Sequence, residues 1–203
     1  MKCRIVLILF FTILYFNCNS QEINSALTSQ LTTYNQNRNQ ITKTGMIILG
    51  TWALSNIALN GGLLLRNGNL NQENKYFMQM NIYWNTVNLV IAGYGLYNTI
   101  NGDAYLSPIE SLAEQNKIEK ILLFNTGLDV AYIMGGLWLQ EKGNSKHSER
   151  LKGYGKSLIL QGSFLISFDL IFYLIHKNHS DNLEKILSTF QITQNGPGFK
   201  FIF

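Results

Sequence analysis

KIEKILLFNTGLDVAYIMGGLWLQ, Lys117 to Gln140, is the stretch that decides how the rest of the chain is read. From Ile118 to Leu139 it is long enough to cross a hydrocarbon core, which takes about 20 mainly apolar residues at 1.5 Å rise each. Asn125, Asp129, Tyr132 and Gly136 stand at i, i+4, i+7 and i+11, so a helix puts them on one face. A carboxylate at the bilayer centre costs about 2.5–3.5 kcal/mol on insertion scales. Asp129 must therefore face other helices or water. Two readings stay open: a buried hydrogen-bonding network that fixes helix register, or a proton or ion site.

Composition agrees with a membrane setting. The 203 residues amount to one domain, and the charged fraction is 14% against about 25% for soluble proteins. The mean hydropathy of +0.03 is modest because Asn- and Gln-rich connectors dilute the apolar segments. The net charge of +4 is spread over loops and forms no basic block that tracks a phosphate backbone, which argues against nucleic acid as a partner. Cys3 and Cys18 are the only cysteines, so a chain shortened past them has no thiol, disulfide or Cys metal site. His147, His176 and His179 make neither HExxH nor a paired-helix spacing, and no metal or cofactor is expected.

Residues 1–20 read as a signal peptide: Lys2 and Arg4 precede an apolar run, Ile5 to Phe16, too short for a stable span. Cys18-Asn19-Ser20 offers small residues at −3 and −1, which places the cut before Gln21. Lipidation of Cys18 and an uncleaved anchor remain as alternatives. Residues 21–42 form a polar leader in which Ile23, Leu27, Leu31 and Tyr34 recur near helical spacing, as an amphipathic helix or a flexible Asn/Gln-rich segment.

Residues 43–178 hold four spans: Thr44–Leu65, Tyr76–Ile100, Ile118–Leu139 and Gly153–Ile175. In the first, Trp52, Asn56 and Asn60 share a face, and Gly61-Gly62 is read as a point of close backbone approach. The second is the weakest by hydropathy. Asn81, Asn85 and Asn88 run along one side of it and are followed by Ala92 and Gly95, a polar-then-small stripe suited to helix contact. Tyr76, Tyr83 and Trp84 are candidate interfacial anchors. Asn101-Gly102-Asp103 ends that helix, and Ser107-Pro108 opens the next. In the last span Gly155, Gly162, Asp169 and His176 recur every seven residues, a seam for a neighbouring helix, with His176 near the interface.

The connector from Glu141 to Lys156 carries Lys142, Lys146, Arg150, Lys152 and Lys156, and the positive-inside rule places it in the cytoplasm. Gln21 then lies outside, in agreement with a cleaved leader. Residues 179–203 are a polar and aromatic tail whose Phe199, Phe201 and Phe203 alternate, but nothing upstream supplies the strands of a barrel. Gly61–Leu65 resembles Gly135–Leu139 in pattern, which suggests two duplicated helical hairpins. The fold class is all-α, a four-helix transmembrane bundle.

TGMIILGTWALSNIA, YFMQMNIYWNTVNLVIAGYGLY, KIEKILLFNTGLDVAYIMGG and ERLKGYGKSLILQGSFLISFDLIFYLIHK together resemble a family of uncharacterised bacterial proteins. That family is a domain of unknown function found as small multi-helix membrane proteins behind a signal peptide. The resemblance covers about residues 35–177. It implies no activity, so no catalytic residue is carried over. The expected location is the bacterial inner (cytoplasmic) membrane, with the mature N-terminus outside.

Asn85, Asn88, Asn125, Asp129 and Asp169 are the candidate intramembrane polar network. The leading expectation is a non-enzymatic membrane protein, structural or partner-binding, with the bilayer and either a second copy or another membrane protein as partners. The alternative is small-solute, ion or proton transport through an oligomeric bundle. An intramembrane aspartyl protease is disfavoured, because GLDVA and SFDLI lack the YD and GxGD signatures. The leader reading is checked by mass spectrometry of the chain isolated from membranes. A first residue of Gln21 is expected, and a lipid adduct on Cys18 would contradict it.

Overall fold

A computed structural model describes the backbone of residues 2–66 and 70–195 and the side chains of residues 25–66 and 70–189. The side chains of the segment read as a signal peptide, residues 67–69 and the aromatic residues at 199–203 lie outside these. Four helices account for nearly all of what is described: α1 (Lys2–Arg66), α2 (Gln72–Asn101), α3 (Pro108–Ser145) and α4 (Glu149–Asn195). No strand occurs among the described residues.

Local sequence sets the helix ends. Asn71 caps α2, its side chain accepting from the Asn74 N–H at 2.8 Å. Ser107 and Glu110 form a reciprocal capping box at the start of α3, with Pro108 just inside it where its missing N–H does no harm. Gly102 closes α2, as the Asn-Gly-Asp sequence predicts. Between α3 and α4 the chain reverses at His147, whose φ of 51° is left-handed, and the Ser148 N–H donates to the Gly143 carbonyl.

The helices run up and down as two antiparallel hairpins, α1–α2 and α3–α4, with α2 also packed on α4. Gly153 sits against the backbone of Glu73 and Phe77, and Lys156 pairs with Glu73, so the α2 start and the α4 start share one end. At the opposite end α1 and α4 outlast the bundle. Residues 21–42 continue the helix of the first span without a break, and α4 runs on past His179. There Leu31 and Tyr34 bury Leu183 completely, with Leu27, Ile186 and Leu187 around them.

The seven-residue seam on α4 sets how close α3 comes. A Cβ on Gly155 would stand 2.6 Å from the Gly136 carbonyl oxygen, and one on Gly136 would stand 2.8 Å from that of Gly155. A Cβ on Gly162 would meet the Asp129 carbonyl at 3.1 Å. Gly61 and Gly62 behave differently from the sequence reading, since nothing lies within 4 Å of a Cβ at either. Gly136 makes a close backbone contact and neither Gly61 nor Gly62 does, so the match to Gly135-Gly136 is one of pattern and not of contact.

Burial is inverted relative to a water-soluble bundle. Among the described residues, buried polar side chains outnumber buried apolar ones, while Leu54, Val90, Phe124, Met134 and Ile171 are more than 45% exposed. Three helices, α1, α3 and α4, are long and apolar enough to cross a membrane. α2 is 30 residues long, and the Asn stripe that lowers its hydropathy points inward: Asn81, Asn85 and Asn88 are all buried. Trp84 is no rim anchor. It packs edge-on against Tyr132, ring centroids 4.7 Å apart, with its indole N–H buried.

Gly136→Ala should lose about 1–3 kcal/mol in detergent-solubilised unfolding, because its methyl group meets backbone that cannot move aside. Gly61→Ala should be neutral or mildly stabilising. Equal effects at the two positions would contradict the seam.

Candidate functional site

The α3–α4 seam also places the two carboxylates that stand within the apolar stretches of these helices. Gly162 brings α4 against α3 at the level of Asp129, and Asp169 is seven residues further on the same α4 face. The Asp129 and Asp169 side chains are within hydrogen-bonding reach of each other, and they are 2% and 6% exposed. Two facing carboxylates repel, so such a pair closes around a shared proton or a cation.

The pair lines a cavity of about 400 Å³ to which all four helices contribute. Leu49 comes from α1, Trp84 and Asn88 from α2, Asn125 and Tyr132 from α3, and Phe168 from α4. Of the five residues singled out in the sequence, Asn88, Asn125, Asp129 and Asp169 meet here. Asn85 does not line the cavity. It is fully buried, with its amide N–H donating to the Asn81 carbonyl one turn back. The buried polar atoms around the cavity are incompletely paired: Trp84 Nε1, Asn88 Nδ2 and Asp129 Oδ2 have no protein partner. Buried polar atoms of native proteins are nearly always bonded, so a group of orphans facing one cavity marks a place for water or a ligand.

A second polar group, nearer the α4 start, is more nearly closed. Asn81 Oδ1 accepts from Ser157 Oγ and from Gln161 Nε2, both at 2.8 Å. Gln161 Oε1 in turn accepts from Trp52 Nε1 at 3.0 Å, and the Trp52 ring stacks on Phe164. One glutamine thus joins α1, α2 and α4.

A third group, at the α1–α4 extension, has no counterpart in the sequence reading beyond Tyr34 and His176. Asn35 Nδ2 donates to Ser111 Oγ, and the Tyr34 hydroxyl donates to Gln115 Oε1. Gln115 Nε2 donates to the His176 carbonyl, which fastens α3 to the top of α4. The His179 ring stacks on Tyr34, centroids 4.2 Å apart, and its Nε2 lies 3.1 Å from the Tyr34 carbonyl. His176, expected near the interface, is 1% exposed. The partners are 61 to 145 residues apart in sequence, and no local spacing announces them.

With the geometry in place, comparison with known proteins adds one result. A family model described as "Family of unknown function (DUF6992)" matches residues 48–170, more than half of the chain. The chain belongs to this family. The matched segment contains the whole carboxylate cavity and excludes Arg38, His176 and His179. No curated protein and no solved structure matches the chain. No group of three or more His, Cys, Asp or Glu side chains that would hold a metal ion occurs among the described residues.

His176 and His179 follow the apolar run Gly153–Ile175 and give the extension a pH dependence. Burial first, then the neighbouring His179 and Arg38, pushes His176 down to about 4, and burial lowers His179 as well. The unfolded residues take up protons near pH 6.5, while the folded His176 resists until about 4. The histidines' contribution is therefore complete above about pH 6.5 and is lost as the pH falls towards 4. Hydrogen exchange in residues 25–43 and 176–189, corrected for intrinsic rates, should be faster at pH 5 than at pH 7. Unchanged protection would contradict the assignment.

Proposed function

We propose that this chain is a non-enzymatic integral membrane protein that binds a small organic cation, of the protonated-amine type, between Asp129 and Asp169. The observation that carries this reading is the cluster of unpartnered buried polar atoms at one cavity wall. A network serving only to cement helices pairs most of its members, as Ser157 and Gln161 do on Asn81 Oδ1, with Asn81 Nδ2 alone of that group left unpaired against three such atoms on the cavity residues. At about 400 Å³ the cavity is far larger than a proton or bare ion needs and lies within the range of small-ligand sites. Its walls suit an amine: two carboxylates to bond the ammonium, and the Trp84 and Tyr132 rings to receive its positive face.

The membrane setting is supported by the three long apolar helices and by the inverted burial. We place the basic α3–α4 turn in the cytoplasm and the α1–α4 extension on the outer side, following the positive-inside rule. The cavity is walled by a single copy. Transport of the bound cation through an oligomer extends the same reading, because four helices alone leave little room for a pathway.

A structural role is the second reading, favoured by the hydrogen bonds through which Gln161 and Asn81 join three helices. Titration of nanodisc-embedded protein with a series of small primary amines separates the two. Saturable binding is expected, weakened at least about tenfold in Asp129→Asn and Asp169→Asn, with thermal unfolding little changed. Gln161→Leu should lower stability and spare binding. Absence of saturable binding by any amine, with both Asn variants less stable, would favour the structural role instead.

A further inference from the structure

Arg38 is 4% exposed, yet among the described residues no carboxylate forms an ion pair with it, Glu114 acting on it only from beyond bonding distance. Its Nη1 donates to Asn35 Oδ1 at 2.8 Å and its Nη2 approaches Asn39 Oδ1 at 3.4 Å, both neutral amides on its own helix. An ionised group taken out of water without an acid in direct contact is disfavoured. A guanidinium held this way is ordinarily completed by an anion, and its planar fork suits a phosphate or carboxylate.

Arg38 borders a second cavity, also of about 400 Å³, distinct from the one at Asp129. Lys117 stands on its wall as a second cation. The wall also bears two carboxylates, on Glu114 and Asp103. Glu114 lies 3.5 Å from Lys117 in an exposed pair, and Asp103 accepts from the Tyr105 N–H. A simple anion would meet these acids unfavourably. A ligand carrying both a phosphate and an ammonium would find a partner for each.

Depth narrows the chemistry further. Arg38 lies six residues, or about 9 Å of helix, ahead of the first span, and Lys117 immediately precedes the third. The polar wall therefore lies at head-group level, while Ile121, half exposed, continues the cavity towards the acyl region.

We propose that this cavity is a binding site for a phosphoethanolamine group, with the phosphate on Arg38 and Lys117 and the ammonium on Glu114 and Asp103. The site lies outside the carboxylate cavity and does not depend on what that cavity binds. The same chemistry has two sources, the head group of phosphatidylethanolamine and free phosphoethanolamine, and the lipid fits the exposed Ile121 side.

Native mass spectrometry of the full chain, released from mixed micelles, tests this with phosphatidylethanolamine, phosphatidylglycerol and phosphatidylcholine in competition. Phosphatidylethanolamine should be retained in preference to both others. Arg38→Gln should abolish retention while unfolding at or above the wild-type temperature in delipidated detergent, since it removes an unpaired charge. The exposed variants Lys117→Gln and Glu114→Gln guard against misfolding of the first. Lys117→Gln should weaken retention, and Glu114→Gln should remove the preference over phosphatidylglycerol. Displacement of the lipid by free phosphoethanolamine would assign the site to the soluble compound, and failure to displace it would assign the site to the lipid. Equal retention of the three lipids, or retention unchanged by the exposed variants, would overturn the proposal.

Discussion

A side chain that leaves water for the inside of a helix bundle must find its hydrogen bonds there, and this requirement governs the structure. The Gln161 amide shows it most clearly, its nitrogen donating to Asn81 Oδ1, which also receives Ser157, and its oxygen accepting from Trp52. Any rotation of α2 or sliding of α4 would leave several buried polar atoms bare, each at a penalty of about 1–3 kcal/mol. Apolar packing is more forgiving of small shifts. The amide bonds therefore fix register, and the glycines fix distance.

Register and distance together create the cavity. With Gly155 and Gly162 lacking side chains, α4 lies against α3 along the face that carries Asp129. Asp169 then faces Asp129 as a consequence of helical repeat rather than of any loop or special backbone. Beyond Gly162 the seam carries Asp169 in place of glycine, and it lines the cavity together with Leu165, Phe168 and Asp129. The same seven-residue repeat thus supplies both the close contact and the cavity beside it.

Much of this was legible in the sequence. Helical spacing placed Asn88, Asn125, Asp129 and Asp169 on inward faces, and Pro108, Gly102 and the Ser107 box marked helix ends. These are local signals, read within one or two turns. The α1–α4 extension was not legible in the same way, because Tyr34 meets Gln115 and His179 only after the chain has folded back. Arg38 shows the limit most clearly. In sequence it is an ordinary basic residue of a polar leader, and only the assembled structure shows it buried with no acid in direct contact. Gly61-Gly62 failed in the opposite direction, since a small-residue pair is an opportunity for contact that no neighbour takes up.

The central claim is that the exterior of this bundle faces hydrocarbon while its polar groups face one another. The most direct measurement is electron paramagnetic resonance of nitroxide labels at Val90, Phe124 and Ile171, in a chain with Cys3 and Cys18 replaced and reconstituted in bilayers. The account predicts relaxation by dissolved oxygen at all three positions and little by a water-soluble nickel reagent. Nickel accessibility at the three positions, with oxygen accessibility low, would contradict it.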